Sequence, residues 1–488
     1  MGMGVMVVES AWQPNILFYI FLWICIFLPL VVSPSVFYCS SSSSPYSRRD
    51  GVNSSKSKSP SLFDFSSFDS LRFHRKFLLV FALASGIEGM WSIFGEYDFE
   101  YFNVGKEEML ASMCLGYSIS LLCGTFLGCL FDFFGHRTGC FAFFIVHVFI
   151  GMWNRTSTYP YKWFATVLSP LATSIFSCSF ESWLVIEHKQ QCYRQETLPE
   201  TLWLTTFIES VMLCCSQAFV NKIVGTNMEH GITLYSTVSV LLALICVIYL
   251  RKGGKESPSM RDSRVCRAPY MHLFHDQRVL FLGFAHSCLH FSISVFWVLW
   301  APTLLADGRE MNLGMIYPLL MGSRMLGSSI FQWLLNSSSL RTDDSLVYAF
   351  VALGIALSII AYDYQEVSVL VSLFCVFHVG VGFIFPSLAR LRAMWVITSQ
   401  NYKLPQGFET HNLLCSLVPN EIRGGMIGLS ITPANAMMLF LLIQRGYYGS
   451  MENSTMIAIA AASMFIGCGC VYFLKRGRKL LYQNGHKL

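Results

Sequence analysis

The chain has 488 residues, of which 54% are hydrophobic and only 13% charged, with a formal net charge of +5 and a mean hydropathy of +0.50. Soluble chains carry about a quarter charged residues, so a string of water-soluble domains is excluded. The 17 cysteines lie mostly inside apolar runs, among them Cys114, Cys123, Cys214, Cys215, Cys468 and Cys470, with no CxxC pair, so neither a disulfide scaffold nor a zinc or redox motif is indicated.

Residues 1–39 contain an apolar run from Asn15 to Val32 that no Lys or Arg precedes. The basic start of a secretory signal is missing, and the run reads as an additional helix, crossing from outside to inside, rather than a cleaved leader. The segment 40–75, Ser-rich from Ser40 to Ser70, reads as a flexible cytosolic linker. A bilayer span needs about 20 mainly apolar residues. Six such runs follow at about 76–96, 109–131, 138–153, 163–186, 202–222 and 231–250, and form an N-terminal half, 76–250.

Ionisable residues inside spans cost roughly 2.5–3.5 kcal/mol each and tend to mark pathways. The first half has Glu88 in its first span, His147 in its third, Glu181 in its fourth and Glu209 in its fifth; Ser174, Ser177 and Glu181 form one polar stripe. Between the second and third spans stands Gly128-Cys-Leu-Phe-Asp132-Phe-Phe-Gly135-His136-Arg137. This resembles the G-x-L-x-D-R-x-G-R-R loop motif of the major facilitator superfamily, in which it acts on a gate. Gly128 lets helices approach, Gly135 permits a tight turn, and Asp132 suits a helix N-terminus or an arginine. Phe131 and Phe133 replace the usual small residue and arginine, which thins the expected ion-pair network.

A basic central loop, 251–278, separates the halves, and six further runs at about 279–305, 311–335, 345–362, 366–389, 424–444 and 455–474 make the C-terminal half, 279–474. A basic tail, 475–488, follows. Lys and Arg cluster before the first core span (Arg72, Arg75, Lys76), in the central loop and in the tail, so the positive-inside rule puts both core termini in the cytosol. His286, His290, Ser294 and Trp297 share one face of the seventh core span, and Tyr317, Met321, Arg324 and Ser328 one face of the eighth. His378 is in the tenth. Arg324 reads as the one Lys or Arg well within a core span. Each stripe could equally bond neighbouring helices together. The i, i+4 histidines lack the H-E-x-x-H pattern, and no phosphate loop or nucleophile elbow is present. An enzyme is not indicated, nor are a metal, a cofactor or nucleic-acid binding.

Phe180-Glu-Ser-Trp183 with Glu187-His188, Leu299-Trp-Ala-Pro302, Leu326-Gly-Ser-Ser329 and Phe385-Pro-Ser387 resemble, in order and spacing, the molybdate-anion transporter family of that superfamily. The resemblance implies an all-α membrane protein of the major facilitator fold with two six-helix halves; the run at 15–32 adds an N-terminal helix to that plan, and the plasma membrane is the expected location. It implies uptake of a small oxyanion, molybdate, by alternating access. The insertion 396–417 interrupts it, and a retained intron or alternative transcript accounts for that stretch as well as a function does. The expected site has Arg324 as fixed charge, His286, His290, Ser294, Trp297 and Tyr317 beside it, and Glu88 and Glu181 as proton-linked carboxylates. Gly128, Asp132, Gly135 and Arg137 serve the gate. The alternatives are another solute carried on the same fold (sugar, peptide or organic ion) and a non-transporting receptor.

Overall fold

The computed structural model describes residues 15–32, 62–92, 106–156, 167–190, 197–224, 228–252, 277–306, 309, 311, 313–337, 342–362, 366–398, 423–448 and 451–485. The serine tract Ser40–Ser44, positions 253–276 of the central loop and positions 399–417 of the insertion lie outside them.

Among the described residues every regular element is a helix. The first is α1, Ile16–Val32. The first half comprises α2 (Leu62–Ser92), α3, α4 (His136–Thr156), α5 (Ser169–Gln190), α6 (Thr197–Val224) and α7 (Met228–Lys252). Helix α3 is one rod in three pieces, Lys106–Ile119, a π-helical turn Ser120–Gly124, and Thr125–Phe134. The second half comprises α8 (Gln277–Leu304), α9 (Leu313–Ser337), α10 (Thr342–Tyr362), α11 (Val367–Thr398), α12 (Arg423–Tyr448) and α13 (Asn453–Gly485). Positions 62–75, assigned above to the linker, form the start of α2. Leu62, Phe65 and Phe68 recur there at helical spacing among the serines.

Eight core helices are long and apolar enough to cross a bilayer by length and composition. The other four, α2, α4, α5 and α9, carry Glu88, His147, Glu181 and Arg324, so the polar residues of the interior lower their hydropathy. Four helices of the second half contain an interior proline: Pro302 in α8, Pro318 in α9, Pro386 in α11 and Pro433 in α12. Each removes one backbone donor, which a membrane helix tolerates where neighbouring helices cover the break.

The buried side chains form two clusters. One draws mainly on α2–α7, with Ala389, Ala393, Ile427 and Ile431 contributed by the second half. The other draws mainly on α8–α13, with Trp203, Leu204, Phe207 and Leu213 from α6. Each half therefore has its own core, and apolar side chains of α3 and α6, among them Met113, Tyr117, Ile208 and Val211, pack across onto the second. Within the second half α9 and α11 touch backbone to backbone, since a methyl on Gly327 would strike the Val379 carbonyl and one on Gly382 the Arg324 carbonyl. Helix α1 packs on α9, with Leu22 filling the space above Gly322 and the Tyr19 hydroxyl 3.2 Å from Met315 Sδ. The two contacts advance together along both helices, so α1 and α9 run in the same sense. Ile16, Leu17, Trp23 and Phe27 on α1 are exposed, as suits a lipid-facing surface.

Candidate functional site

Arg137, Lys189, Arg251 and Arg278 sit near helix termini, and Arg75, Lys76 and Lys475 inside α2 and α13, at one end of the bundle, here called the basic end. There the two halves are joined by charge. Gly135 ends α3 with φ of 99° and donates its N–H to the Phe131 carbonyl, a conformation that only glycine adopts without strain. The turn into α4 leaves Asp132 pointing across at the first residues of α12. Its Oδ1 accepts the Gly424 N–H at 2.7 Å and its Oδ2 the Gly425 N–H at 2.6 Å. The carboxylate thus satisfies two donors that a helix start leaves free, at the positive end of its dipole. The approach is possible because Gly128 lies flat on the partner helix: a Cβ there would stand 2.5 Å from the Gly424 carbonyl oxygen. His136 Nε2 lies 3.5 Å from Asp132, and Arg137 lies over the Trp183 ring at 5.8 Å.

One helix further in, Glu181 of α5 holds two arginines of the opposite half. Arg392 of α11 grips it with Nε at 2.9 Å and Nη2 at 2.5 Å, and Arg423 of α12 adds Nη2 at 2.9 Å. Lys189 donates to the Ala393 carbonyl at 3.3 Å beside them. Arg324 is therefore not the one buried arginine among the described residues, although these two stand at the margins of their spans rather than well inside them. Arg392 is 2% exposed and Arg423 5% exposed; α11 continues past the apolar run that ended at about 389, and α12 opens on Arg423 itself. The signal that could have revealed them was Glu181, a carboxylate in a span that needs a countercharge.

Asp132→Asn is expected to leave insertion intact and lower turnover at saturating solute by about tenfold, as one charge-assisted bond to the α12 start is lost. Initial rates normalised to surface protein measure this, and unchanged turnover would reduce the motif to a simple turn.

At mid-depth the halves meet again through Arg324 of α9, whose Nη2 donates to Glu209 Oε1 of α6 at 2.9 Å. The guanidinium stands 5.1 Å above the Phe385 ring. His290 meets the same ring at 5.7 Å and stacks edge-on to His286 at 4.5 Å. Trp297 lies 5.6 Å from Tyr317. Arg324 and His290 thus share the Phe385 ring, while Trp297 and Tyr317 meet about two helical turns away on the same two helices, α8 and α9. His286 turns toward α12 and shares a 2.6 Å hydrogen bond with Ser430, and Ser294 lies on the side of α8 that faces Tyr117 of α3. Glu88 is elsewhere, inside the first half: it meets His147 Nε2 at 3.1 Å and accepts the Thr173 hydroxyl. Glu181 belongs to the basic end, as described. Glu209, noted in the sequence only as a buried charge, is the partner of Arg324 that sequence could not assign.

Along the remaining boundary α3 faces α12 over its whole length. Asn435 donates to Ser120, which bonds Ser174, and Thr125 bonds Thr432. At the end opposite the basic one, Leu110 packs on Gly446 and Gln217 lies 3.5 Å from the Gly314 carbonyl, two uncharged contacts between described residues.

Comparison with known proteins agrees with this architecture. Residues 51–382 match the profile of a family described as "Sugar-transporters, 12 TM". The molybdate-anion transporter of Takifugu rubripes is 22% identical over 292 residues, 54% of this chain and 59% of that protein's length. The E. coli fucose:proton symporter FucP shares the fold, with a TM-score of 0.54 and 11% identity over 82% of this chain and 99% of that one. The chain belongs to the twelve-span sugar-transporter family of the major facilitator superfamily.

Proposed function

We propose that this transporter takes up a small tetrahedral oxyanion, molybdate, by alternating access, with the basic end toward the cytosol of a plasma-membrane protein. The observation that supports it best is Arg324, a buried guanidinium at the boundary of the halves, held by one carboxylate and standing over the Phe385 ring that His290 also meets. A guanidinium stays charged and presents a planar fork of donors matched to oxyanions. Glu209 and a solute oxyanion compete for that fork, so loading the site loosens a bond between the halves. Differential contacts of this kind are what allow a ligand to shift a conformational equilibrium. The molybdate assignment has further support in the name of the pufferfish relative, and the site's depth accords with the midplane sites of transporters built from repeated halves. His286 and Ser294 border the site, and Glu181 with Asp132, Gly128, Gly135 and Arg137 forms the cytosolic gate.

Proton coupling is assigned to Glu88. It lies in the first half, where His147 and Thr173 can hold either form of the carboxyl by hydrogen bonds. Glu88→Gln is expected to flatten the pH dependence of net uptake while leaving exchange of labelled for unlabelled molybdate across the membrane within about twofold. An unaltered pH profile would remove Glu88 from the coupling path.

The deciding experiment is uptake of labelled molybdate by the purified chain in liposomes under imposed pH gradients. Saturable flux that tungstate inhibits and sugars do not is the expected result. A second reading, a sugar substrate, is favoured by the matched family's description and by Trp297, Trp300 and Tyr317, whose flat faces suit a pyranose. Flux of a neutral hexose without flux of molybdate would establish it instead. Solute binding without flux of either would mark a receptor.

A further inference from the structure

The second half contains a histidine that the site described so far does not use. His378 of α11 is 1% exposed, and both its ring nitrogens are buried without a hydrogen-bond partner. Aromatic rings enclose it: Phe296 at 4.8 Å, Trp297 at 5.3 Å and Phe377 at 5.6 Å. Arg324 lies within electrostatic reach of the ring, and its own Nε is also buried without a partner. The close crossing of α9 and α11 at Gly327 and Gly382 sets the two side chains at neighbouring levels. A buried donor left unsatisfied is among the costlier features a protein can retain. Here two occur together, on the closely crossing α9 and α11, and Trp297 touches both His378 and Tyr317.

We propose that His378 is a second direct ligand of the transported oxyanion, donating a ring N–H to an oxygen of the solute whose other oxygens Arg324 holds. The assignment rests on the reading of Arg324 as the anion-binding residue. It explains why an imidazole stands where packing alone would favour phenylalanine: a tetrahedral oxyanion brings only acceptors, and His378 and Arg324 Nε bring donors with nothing else to bond. Trp297, Phe296 and Phe377 exclude water from the ring, so the contact forms in a medium of low polarity, where a hydrogen bond to a charged group is strong.

The test uses the full chain in liposomes and labelled molybdate. His378→Phe keeps the ring and its stacking but removes both nitrogens, and it is expected to raise the half-saturation concentration by about tenfold or more. The same variant should keep or raise the melting temperature, because an unpartnered polar group has been replaced by an apolar ring. His378→Gln, which retains an N–H donor, should fall between parent and His378→Phe. Combining His378→Phe with Arg324→Lys should cost less than the product of the single effects, because both residues hold one anion. Parent half-saturation in His378→Phe, or in His378→Gln if the first variant does not fold, overturns the assignment while leaving molybdate transport standing. A lowered melting temperature with unchanged affinity does the same and marks a packing residue. Absence of molybdate flux in the parent protein removes the substrate reading and this ligand with it.

Discussion

Replacing Glu181 by glutamine should lower uptake by roughly a hundredfold or more, with the protein still inserted in the membrane. The carboxylate is the shared partner of Arg392 and Arg423, and its loss leaves two guanidinium groups facing each other in a buried seam. Removing one member of a buried ion pair costs about 3–5 kcal/mol, and that cost falls only on the conformation in which the basic end is closed. The halves would separate at that end and remain so, since opening gives both arginines access to water. Spin-label distances across the basic end, between α5 and α11, should lengthen in Glu181→Gln without solute. Neutralising all three positions together (Glu181→Gln, Arg392→Gln, Arg423→Gln) should recover part of the uptake, because no charge is then stranded. Uptake by Glu181→Gln within twofold of the parent, at equal surface expression, would show that the seam is not held by this cluster.

The second large effect concerns Arg324. Arg324→Ala is expected to abolish saturable molybdate binding, a loss of about a hundredfold in affinity, as charge-assisted bonds from both arms of the fork disappear. Arg324→Lys retains charge without the fork and should weaken binding by about tenfold. Folding should survive in both, because Glu209 is not sealed in: its side chain is 23% exposed, so water can take over part of the role of the lost partner. If Arg324 instead serves only to neutralise Glu209, Arg324→Ala should express poorly and Glu209→Gln should rescue it. Equilibrium binding on detergent-purified variants, with melting temperature alongside, separates the two roles. Parent affinity in a well-folded Arg324→Ala protein would end the proposal.

Much of the architecture was legible in the sequence because apolar length is a local property. The run at 345–362 falls within α10, the run at 279–305 ends one residue past α8, and the described part of the run at 76–96 lies in α2. The ends were less legible. Helices α2, α11 and α13 carry on into amphipathic turns beyond the hydrocarbon region, where hydropathy no longer marks them, and with the end of α11 went Arg392. The motif at Gly128–Arg137 could be read as a turn, but the donors to its Asp132, at the start of α12, are 292 residues further along the chain and no local pattern records them. Pairing of charges posed the same difficulty. Glu88, Glu181, Glu209 and Arg324 were all visible as costly residues in apolar surroundings, yet which partner neutralises which depends on how the halves dock. The structure gives Arg324 to Glu209 and gives Glu181 to two arginines at the margins of their spans.

The two ends of the boundary between the halves are made of different materials. At the basic end the contacts are ionic, Glu181 with two arginines and Asp132 with a helix start. At the other end Leu110 meets Gly446 and an amide meets a carbonyl. Ionic strength therefore acts on the basic end. While the basic end is closed its charges are shielded from ions by burial; once it opens, they are exposed and mobile counterions stabilise them over a Debye length of about 8 Å at physiological salt. Raising the electrolyte concentration on the basic side is therefore expected to favour opening on that side.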